Sequence, residues 1–313
     1  MTDDVTLRLD PALRHLAEFR TDLSADTLAV LRDSLNERRR ASAAALETPG
    51  VEIVDGAIRG DDSRDIPIRV YRGGSERAPG VLFCHSGAFV LGDLATDHRL
   101  CVELARRAQC TVVSVDYRLA PEHPHPAGFD DALTALTWMA AEPEALGVDP
   151  SRLAVAGSSA GGALAALLAQ SSAAGAAPPI VFQLLHQPVL DDAFTPSKEE
   201  FTTTPGFDGP AVQQMWRHVS GADSVPWEAV PARADDLSGL AAAMITCSEL
   251  DPLRDEAVDY ALRLLWAGVC TELHVFPGTC HGFDSLLPDW AVSQRLFALQ
   301  GAALRRALHP VDG

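Results

Sequence analysis

The sequence has little positive charge, no long apolar run and few cysteines, and each of these shortages excludes a class of protein. Its 313 residues include 25 lysines and arginines against 43 acidic residues, which gives a formal net charge of −18. Nucleic acids and anionic membranes attract basic surfaces, so this balance argues against both as partners. No apolar run approaches the roughly 20 residues that a helix needs to cross a bilayer.

The cysteines and the first residues point to a reducing compartment. The stretch MTDDVTLRLD is acidic and lacks an apolar core segment, so we see no secretion signal and expect a cytoplasmic protein. The six cysteines form no C-x-x-C pair and are too sparse for a disulfide scaffold. We expect them to be buried free thiols: Cys84, Cys101, Cys110, Cys247, Cys270 and Cys280.

Short apolar runs alternate with helical patterns along most of the chain. The strand-like runs cover residues 51–58, 66–73, 80–85, 111–117, 153–157, 180–185, 242–247 and 272–277. Apolar residues at helical spacing predict helices over 10–46, 97–109, 128–146, 160–175, 252–269 and 286–308. This alternation predicts an α/β fold with an eight-stranded, mostly parallel sheet flanked by helices.

The alternation pauses at about residues 190–240, a segment rich in Pro, Asp and Thr. We interpret this segment as an insertion with helical pieces, which folds with the N-terminal helices into a cap. The predicted organisation is therefore an N-terminal helical cap segment at 1–50 and a main domain at 51–313 that carries the cap insertion. We find no internal repeat and no low-complexity linker.

Two serines stand between glycines where the strand at 153–157 meets the next helix, in the stretch LAVAGSSAGG. The residues from Gly157 to Gly161 follow the pattern G-x-S-x-G, in which a tight turn lifts the central serine clear of the sheet. Each glycine costs roughly 1 kcal/mol relative to alanine, so stability alone does not account for them. We predict that Ser159 is a nucleophile; the alternative is a glycine-rich helix start packed closely on the strand.

A serine nucleophile needs a base to take its proton and an acid to hold the base. In this architecture the chain order is serine, acid, histidine. Asp251 follows a predicted strand and His281 lies after the last one, so both belong to the sheet edge where parallel strands end. Asp251 precedes Pro252, which is also typical of a helix cap. Asp255 and Glu249 are its nearest competitors, and the alternative for His281 is a turn histidine without a task.

The loop HSGAF, which follows a buried strand, is the second candidate for the site. It stands where this architecture has an H-G-G-G type loop, whose backbone N–H groups stabilise an oxyanion. We assign the oxyanion hole to the N–H groups of Gly87, Ala88 and Ala160. His85 is expected to brace the loop rather than to act as a base.

Five stretches together resemble the hormone-sensitive-lipase-like, or family IV, bacterial carboxylesterases: HSGAF, VDYRLAPEHPHPAG, AGSSAGG, DPLRDEAVDYALRLLWAGV and FPGTCHGF. The resemblance runs from about residue 50 to the C-terminus. It implies an α/β-hydrolase fold, with residues 51–313 as the catalytic domain, and hydrolysis of short- to medium-chain acyl esters through an acyl-enzyme. It carries the triad onto Ser159, Asp251 and His281, implies no metal or organic cofactor, and makes a homodimer through the last strand or helix plausible.

The sequence departs from the family pattern at two places. Ser86 and Ala88 stand where the family has the first and third glycine after the histidine, and the Ala88 methyl group narrows the space beside the reacting carbonyl. Ser158 stands where the family has an acidic residue, and the missing charge is expected to alter the pH profile. In YRLAPEHP, Arg118 and Glu122 are expected to support the site structurally.

Bulky residues of the loop and the insertion are expected to form the substrate pocket: Phe89, Phe201, Phe207, Met215 and Trp216. With Ala88 they should limit the acyl chain to about two to eight carbons. The alternative is that these side chains are the core of the cap itself.

Two other functions remain open on the same fold. A serine peptidase or amidase shares the acyl-transfer machinery, although no propeller-like repeats or long N-terminal domain are present. A small-molecule-binding protein is expected to lack a member of the triad, whereas all three candidates are present here. The sequence therefore favours a serine carboxylesterase acting on a small-molecule ester.

Overall fold

The computed structural model describes residues 5–60, 62–220 and 224–310. One sheet contains β1 (Glu52–Arg59), β2 (Asp65–Arg72), β3 (Ala78–Cys84), β4 (Thr111–Val115), β5 (Val148–Ser158), β6 (Phe182–His186), β7 (Ala242–Leu250) and β8 (Thr271–Cys280). The order across the sheet is β1-β2-β4-β3-β5-β6-β7-β8. β2 is antiparallel to both of its neighbours and the other pairs are parallel. The predicted eight-stranded, mostly parallel sheet is confirmed.

The helices are α1 (Val5–Arg8), α2 (Ala25–Ala45), α3 (His98–Ala108), α4 (Ala127–Ala141), α5 (Pro143–Leu146), α6 (Ala160–Ala173), α7 (Pro196–Glu200), α8 (Gly209–Ser220), α9 (Arg254–Trp266), α10 (Phe283–Leu286) and α11 (Ala291–Leu308). Single turns of 3-10 helix lie at Arg14–Leu16, Trp227–Ala229 and Pro231–Arg233.

Three predicted helices are interrupted in the structure. In the stretch 10–46, the Asp22 side chain accepts the N–H of Ser24 at 2.9 Å, a local turn that competes with helix, so α2 begins only after it. The stretch 128–146 divides into α4 and α5 before Pro143, because the residue preceding a proline is biased away from helix. Pro288 lies in the corresponding break between α10 and α11.

The core lies on both faces of the sheet. β3 is buried along its whole length. Its Leu82 packs on the face covered by α4, α6 and α9, whereas Val81 and Phe83 pack on the face covered by α3 and α11. Successive side chains of a strand point to opposite faces, so a continuous apolar run fits a strand that is covered on both sides.

The N-terminal helices and the insertion pack together above the sheet; we call residues 5–50 and 190–240 the cap. Leu23 and Leu28 lie in one buried cluster with Trp216 of α8. The N–H of Leu23 donates to Gln214 Oε1 at 2.8 Å. Residues 1–4 and 221–223 of the predicted cap lie outside the described residues, and the division into cap and catalytic domain stays a prediction.

Five of the six cysteines are buried, but Cys270 is exposed in the turn before β8, so the expectation of buried thiols is wrong for that residue. Within residues 5–60, 62–220 and 224–310, no group of three or more His, Cys, Asp or Glu side chains is placed to hold a metal ion. None of the helices described there is long and apolar enough to cross a bilayer.

Candidate active site

Ser159 lies at the turn between β5 and α6, as the sequence predicts. Its φ is +54° and its ψ is −116°, a conformation that costs a residue with a side chain about 1–3 kcal/mol. A Cβ atom on Gly157 would overlap the Gly161 carbonyl oxygen, and one on Gly161 would overlap the Cys84 carbonyl oxygen. The turn therefore requires glycine on both sides of the strained serine.

Three side chains from separate elements form a hydrogen-bonded row. Ser159 Oγ lies 3.0 Å from His281 Nε2, and His281 Nδ1 lies 2.8 Å from Asp251 Oδ2. Ser159 and Asp251 are buried. Such a row lets the imidazole take the serine proton while the carboxylate holds the tautomer that carries a proton on Nδ1.

Asp251 serves both of the roles between which the sequence could not decide. Its Oδ1 accepts the N–H of Leu253 at 2.8 Å, just before α9 begins. Its Oδ2 faces His281. A carboxylate has two oxygens, each able to accept hydrogen bonds, so holding the turn before α9 and orienting the histidine do not compete.

The competing acids point elsewhere. Asp255 accepts the N–H of Ser197 at 2.8 Å, and Glu249 accepts the N–H of Gly278 at 2.8 Å. Neither is among the hydrogen-bond partners of His281, so Asp251 is the acid that the structure brings to it.

Opposing effects act on the pKa of His281. Burial disfavours the charged imidazolium, but the charge of Asp251 and its hydrogen bond outweigh burial and raise the pKa above the ordinary value of 6.5. The ring is therefore a stronger base than a free histidine. It can accept the proton of Ser159 only while it is neutral, that is, above its raised pKa.

The HSGAF loop has an unusual backbone. Gly87, Ala88 and Phe89 all have positive φ, of 136°, 54° and 61°. In the part of the chain that the structure describes, the N–H groups of Gly87, Ala88 and Ala160 have no hydrogen-bond partner. Gly87 and Ala88 line the same cavity as Ser159, and Ala160 follows it directly. Free donors beside a nucleophile are what an oxyanion hole requires.

His85 and Asp97 hold this loop in place. His85 Nδ1 lies 2.8 Å from the Ser86 carbonyl oxygen, and its ring stacks on Tyr117 with centroids 4.2 Å apart. The Ser86 N–H donates to Asp97 Oδ2 at 2.6 Å. His85 thus makes the contacts expected of a brace, whereas nothing in the sequence singled out Asp97.

Arg118 and Glu122 bind residues outside the HSGAF loop. The Arg118 guanidinium binds Asp131, with Nη2 2.9 Å from Oδ1. Glu122 binds Arg32 of α2 at 2.9 Å, and Arg32 also donates to the Val90 carbonyl oxygen at 2.8 Å. Glu122 therefore helps to tie α2 to the HSGAF loop.

A cavity of about 430 Å³ opens in front of Ser159 and His281, a volume within the range of small-molecule sites. Much of its wall is apolar and comes from both the cap and the main domain: Leu23, Leu35, Leu46, Leu91, Leu100, Leu286 and Phe297. The polar groups of the wall include arginines, serines and acidic residues: Arg38, Arg39, Ser42, Asp97, Arg99 and Asp284.

Most of the residues predicted for the substrate pocket lie outside this cavity. Phe207 lines the cavity, with its ring centroid 4.9 Å from that of His281. The other four predicted residues are not among those that line it: Phe89, Phe201, Met215 and Trp216. Met215 and Trp216 are buried in the cluster that joins α8 to α2, and Phe201 is buried in the core cluster that includes α3 and α11. Apolar packing inside the protein, rather than substrate, accounts for these bulky side chains.

Gln187 is a site residue that sequence reasoning missed. Its Oε1 accepts the N–H of Gly282 at 2.7 Å, and its Nε2 donates to Ser248 Oγ at 2.7 Å. Ser248 Oγ donates in turn to the Cys280 carbonyl oxygen at 2.9 Å. These bonds fix the backbone on both sides of His281. The one available signal was a polar residue directly after the apolar strand β6.

Known proteins resemble this chain over nearly its whole length. A model of the alpha/beta hydrolase fold family matches residues 81–285. Carboxylesterase NlhH of Mycobacterium tuberculosis is 38% identical, over 99% of this chain and 100% of that protein. Esterase LipI of the same organism is also 38% identical, over 90% of each chain.

Solved structures of esterases are also similar to this chain. Esterase LipW from Mycobacterium marinum superposes with a TM-score of 0.95 at 56% identity, over 97% of this chain and 98% of that one. A bacterial heroin esterase has a TM-score of 0.89 at 37% identity, over 97% and 99% of the two chains. With the sheet order and the turn at Ser159, these similarities show that the chain belongs to the α/β-hydrolase superfamily, in its hormone-sensitive-lipase-like family.

Proposed function

We propose that Ser159, His281 and Asp251 are the catalytic triad of a serine carboxylesterase. The protein is a carboxylic ester hydrolase, the class in which its relatives are named. The observation that carries the residue assignment is the row from Ser159 through His281 to Asp251, with distances of 3.0 and 2.8 Å.

Acylation begins when Ser159 Oγ attacks the ester carbonyl and His281 Nε2 takes its proton. Asp251 Oδ2 accepts a hydrogen bond from the Nδ1–H group throughout and stabilises the imidazolium that forms. The tetrahedral intermediate then collapses, His281 gives its proton to the departing alcohol, and an acyl group remains on Ser159. Water repeats the sequence and releases the acid.

The N–H groups of Gly87, Ala88 and Ala160 receive the negative charge that develops on the carbonyl oxygen. Backbone donors held in place before the reaction need no rearrangement during it, and losing one costs about 10²–10³ in rate in a comparable enzyme. Ala160 stands at the first turn of α6, whose N-terminus carries positive partial charge toward the same oxygen.

The proposed substrates are short- to medium-chain acyl esters. The cavity of about 430 Å³ and the Ala88 methyl group in its wall support this length. A series of chromogenic esters should reach its highest kcat/KM at an acyl length of about two to eight carbons. A maximum at long acyl chains would contradict the proposed length.

Ser159→Ala tests the proposal, with the exposed Ser75→Ala as the matched control. We expect Ser159→Ala to lower kcat on p-nitrophenyl butyrate by about 10⁶, the loss seen when a catalytic serine is removed. Both variants should keep the far-UV circular dichroism of the wild type. Turnover like that of the wild type in Ser159→Ala would overturn the assignment. The matching p-nitroanilide, run in parallel, separates an esterase from an amidase.

We further propose that the protein acts on a small-molecule ester, forms a homodimer and is cytoplasmic. A net charge of −18 disfavours nucleic acid, so the partner is a small-molecule ester. A homodimer through β8 or α11 and a cytoplasmic location follow from the family resemblance and the sequence expectations. Light scattering of the purified protein measures the first, and fractionation of its native cells measures the second.

A further inference from the structure

One face of α2 lines the cavity in front of Ser159. Its lining residues recur at intervals of three or four positions, the spacing of a single helical face: Leu35, Arg38, Arg39, Ser42 and Ala43. Leu46, which follows the end of the helix, also lines the cavity. The pair of arginines stands between the two leucines. This face of α2 thus brings two guanidinium groups to the wall of the cavity.

Neither arginine has a carboxylate partner among the described residues. Arg38 makes no ion pair or hydrogen bond there, and Arg39 makes a single hydrogen bond, from Nη1 to Thr96 Oγ1 at 3.3 Å. Arg40, the next residue of the helix, instead pairs with Asp93 at 2.7 Å. A guanidinium has five N–H donors, so most of the donors of Arg39 lack a protein partner.

Each of the other charged groups of the cavity wall has a hydrogen-bond or ion-pair partner in the protein. Arg99 forms an ion pair with Asp289. The Oδ2 atom of Asp97 accepts the N–H of Ser86 at 2.6 Å, and Asp284 pairs with a buried histidine at 3.1 Å. Asp97 attracts Arg39 at longer range without an ion pair. Among the described residues of the cavity wall, Arg38, Arg39 and Asp97 thus have no ion-pair partner, and the two guanidinium groups outnumber the one carboxylate.

We propose that Arg39, with Arg38 beside it, binds a carboxylate of the substrate. The preferred substrates are then esters that carry a second, anionic carboxylate away from the scissile bond. This rests on the proposed ester hydrolysis at Ser159. A guanidinium binds a carboxylate through two parallel N–H···O bonds, and a partly enclosed site strengthens that attraction relative to water. The apolar wall holds the part of the substrate between its two ends.

Three esters test the proposal: p-nitrophenyl butyrate, which is neutral; mono-p-nitrophenyl glutarate, with a carboxylate on the acyl side; and 4-carboxyphenyl butyrate, with one on the alcohol side. The wild type should favour one charged ester over p-nitrophenyl butyrate, and that ester shows which side faces Arg39. Arg39→Met should lower kcat/KM for it by at least about tenfold, which corresponds to about 1.4 kcal/mol. Turnover of the neutral ester should change less than about threefold.

Three further measurements separate the charge of Arg39 from other effects on turnover. Arg40→Met removes the same charge from the same helix outside the cavity and should leave the ratio of charged to neutral turnover unchanged. Arg39→Lys keeps the charge without the planar fork and should retain part of the preference. With the wild type, added salt should weaken the preference for the charged ester, because ions screen a partly exposed pair.

Equal losses on charged and neutral esters in Arg39→Met, or a wild type that favours neither charged ester, would overturn the proposal while leaving the esterase intact. Failure of the wild type to hydrolyse any of the three esters would instead count against the proposed function. The two failures are therefore distinguishable.

Discussion

At the scale of single residues, the proposed mechanism depends most on His281. Its two ring nitrogens face different partners, with Ser159 on Nε2 and Asp251 on Nδ1. The carboxylate both fixes the tautomer and raises the pKa of the ring. A single side chain thus sets the direction of proton transfer and the pH at which it can occur.

The pH dependence of kcat/KM follows from this pairing. Neutral His281 is the active form, so activity should fall as the pH drops through its pKa, which lies above 6.5 in the wild type. Asp251→Asn removes the charge that raises this pKa and leaves burial, which lowers it, so the acid limb should move to lower pH. The variant should also lose on the order of 10⁴ in kcat.

Rates on p-nitrophenyl butyrate, measured between about pH 5 and pH 9, check both effects. Asn can still accept the N–H of Leu253, so the thermal unfolding of the variant serves as the control for folding. An unmoved acid limb, or a rate loss below tenfold, would place the acid elsewhere.

The sequence could predict that the three residues of the proposed triad lie together, because each stands directly after a strand and their chain order is the one expected for this architecture. Gln187 and Asp97 could not be predicted in this way. Each is a polar residue near an apolar run, and its partner, the Gly282 or Ser86 N–H, comes from another part of the chain. Only the folded backbone brings the two groups together.

At the scale of elements, the β5–α6 turn depends on its glycines. In Gly157→Ala the new methyl group would overlap the Gly161 carbonyl oxygen, so we expect a loss of about 1–3 kcal/mol in the free energy of unfolding, together with most of the activity. Gly56→Ala is the control, because a Cβ there lies 3.8 Å from Ile68 Cγ1, in ordinary contact. Urea denaturation measures both. Equal stability of the two variants would show that the turn tolerates a side chain.

The loop that carries His281 is a second element with a specific support. In Gln187→Met the Gly282 N–H loses its acceptor and Ser248 Oγ loses the Nε2 donor, and the histidine should shift. Because small displacements of catalytic groups cost up to about 10²-fold, we expect kcat to fall by about tenfold or more.

Gln183→Met is the matched control for Gln187→Met. Gln183 lies on β6, the strand that directly precedes Gln187. The Gln183 side chain donates to the Ala241 carbonyl oxygen at 2.9 Å, away from the histidine loop. It should lower stability and leave kcat within about twofold. If the two variants lose kcat equally, Gln187 does not position the histidine.

Sequence patterns predicted the positions of the strands and helices more accurately than the residues at which they begin and end. All eight strands fall where apolar runs predict them, although β5 begins at Val148, earlier than expected. The helices over 128–146 and 286–308 divide where proline interrupts them. Hydrophobic periodicity detects the apolar face of a helix. It does not detect a short break when the helices before and after the break bury the same face.

At the scale of the whole molecule, the parallel strands gather the site at one edge. β5, β7 and β8 all end there, and Ser159, Asp251 and His281 follow their last residues. Alternation of strands and helices predicts this edge, because parallel strands need helical connections across the sheet. It does not predict which cap residues face the cavity, and the bulky side chains assigned to the pocket are mostly buried against α2 or the sheet instead.

The most direct test of the central claim is covalent labelling by an organophosphate, followed by peptide mapping with mass spectrometry. An activated serine should displace the leaving group of the reagent and keep one phosphoryl group per chain as activity is lost. We expect this group on Ser159, and His281→Ala should react far more slowly. A label on any other residue, or full inactivation without a label on Ser159, would contradict the central claim.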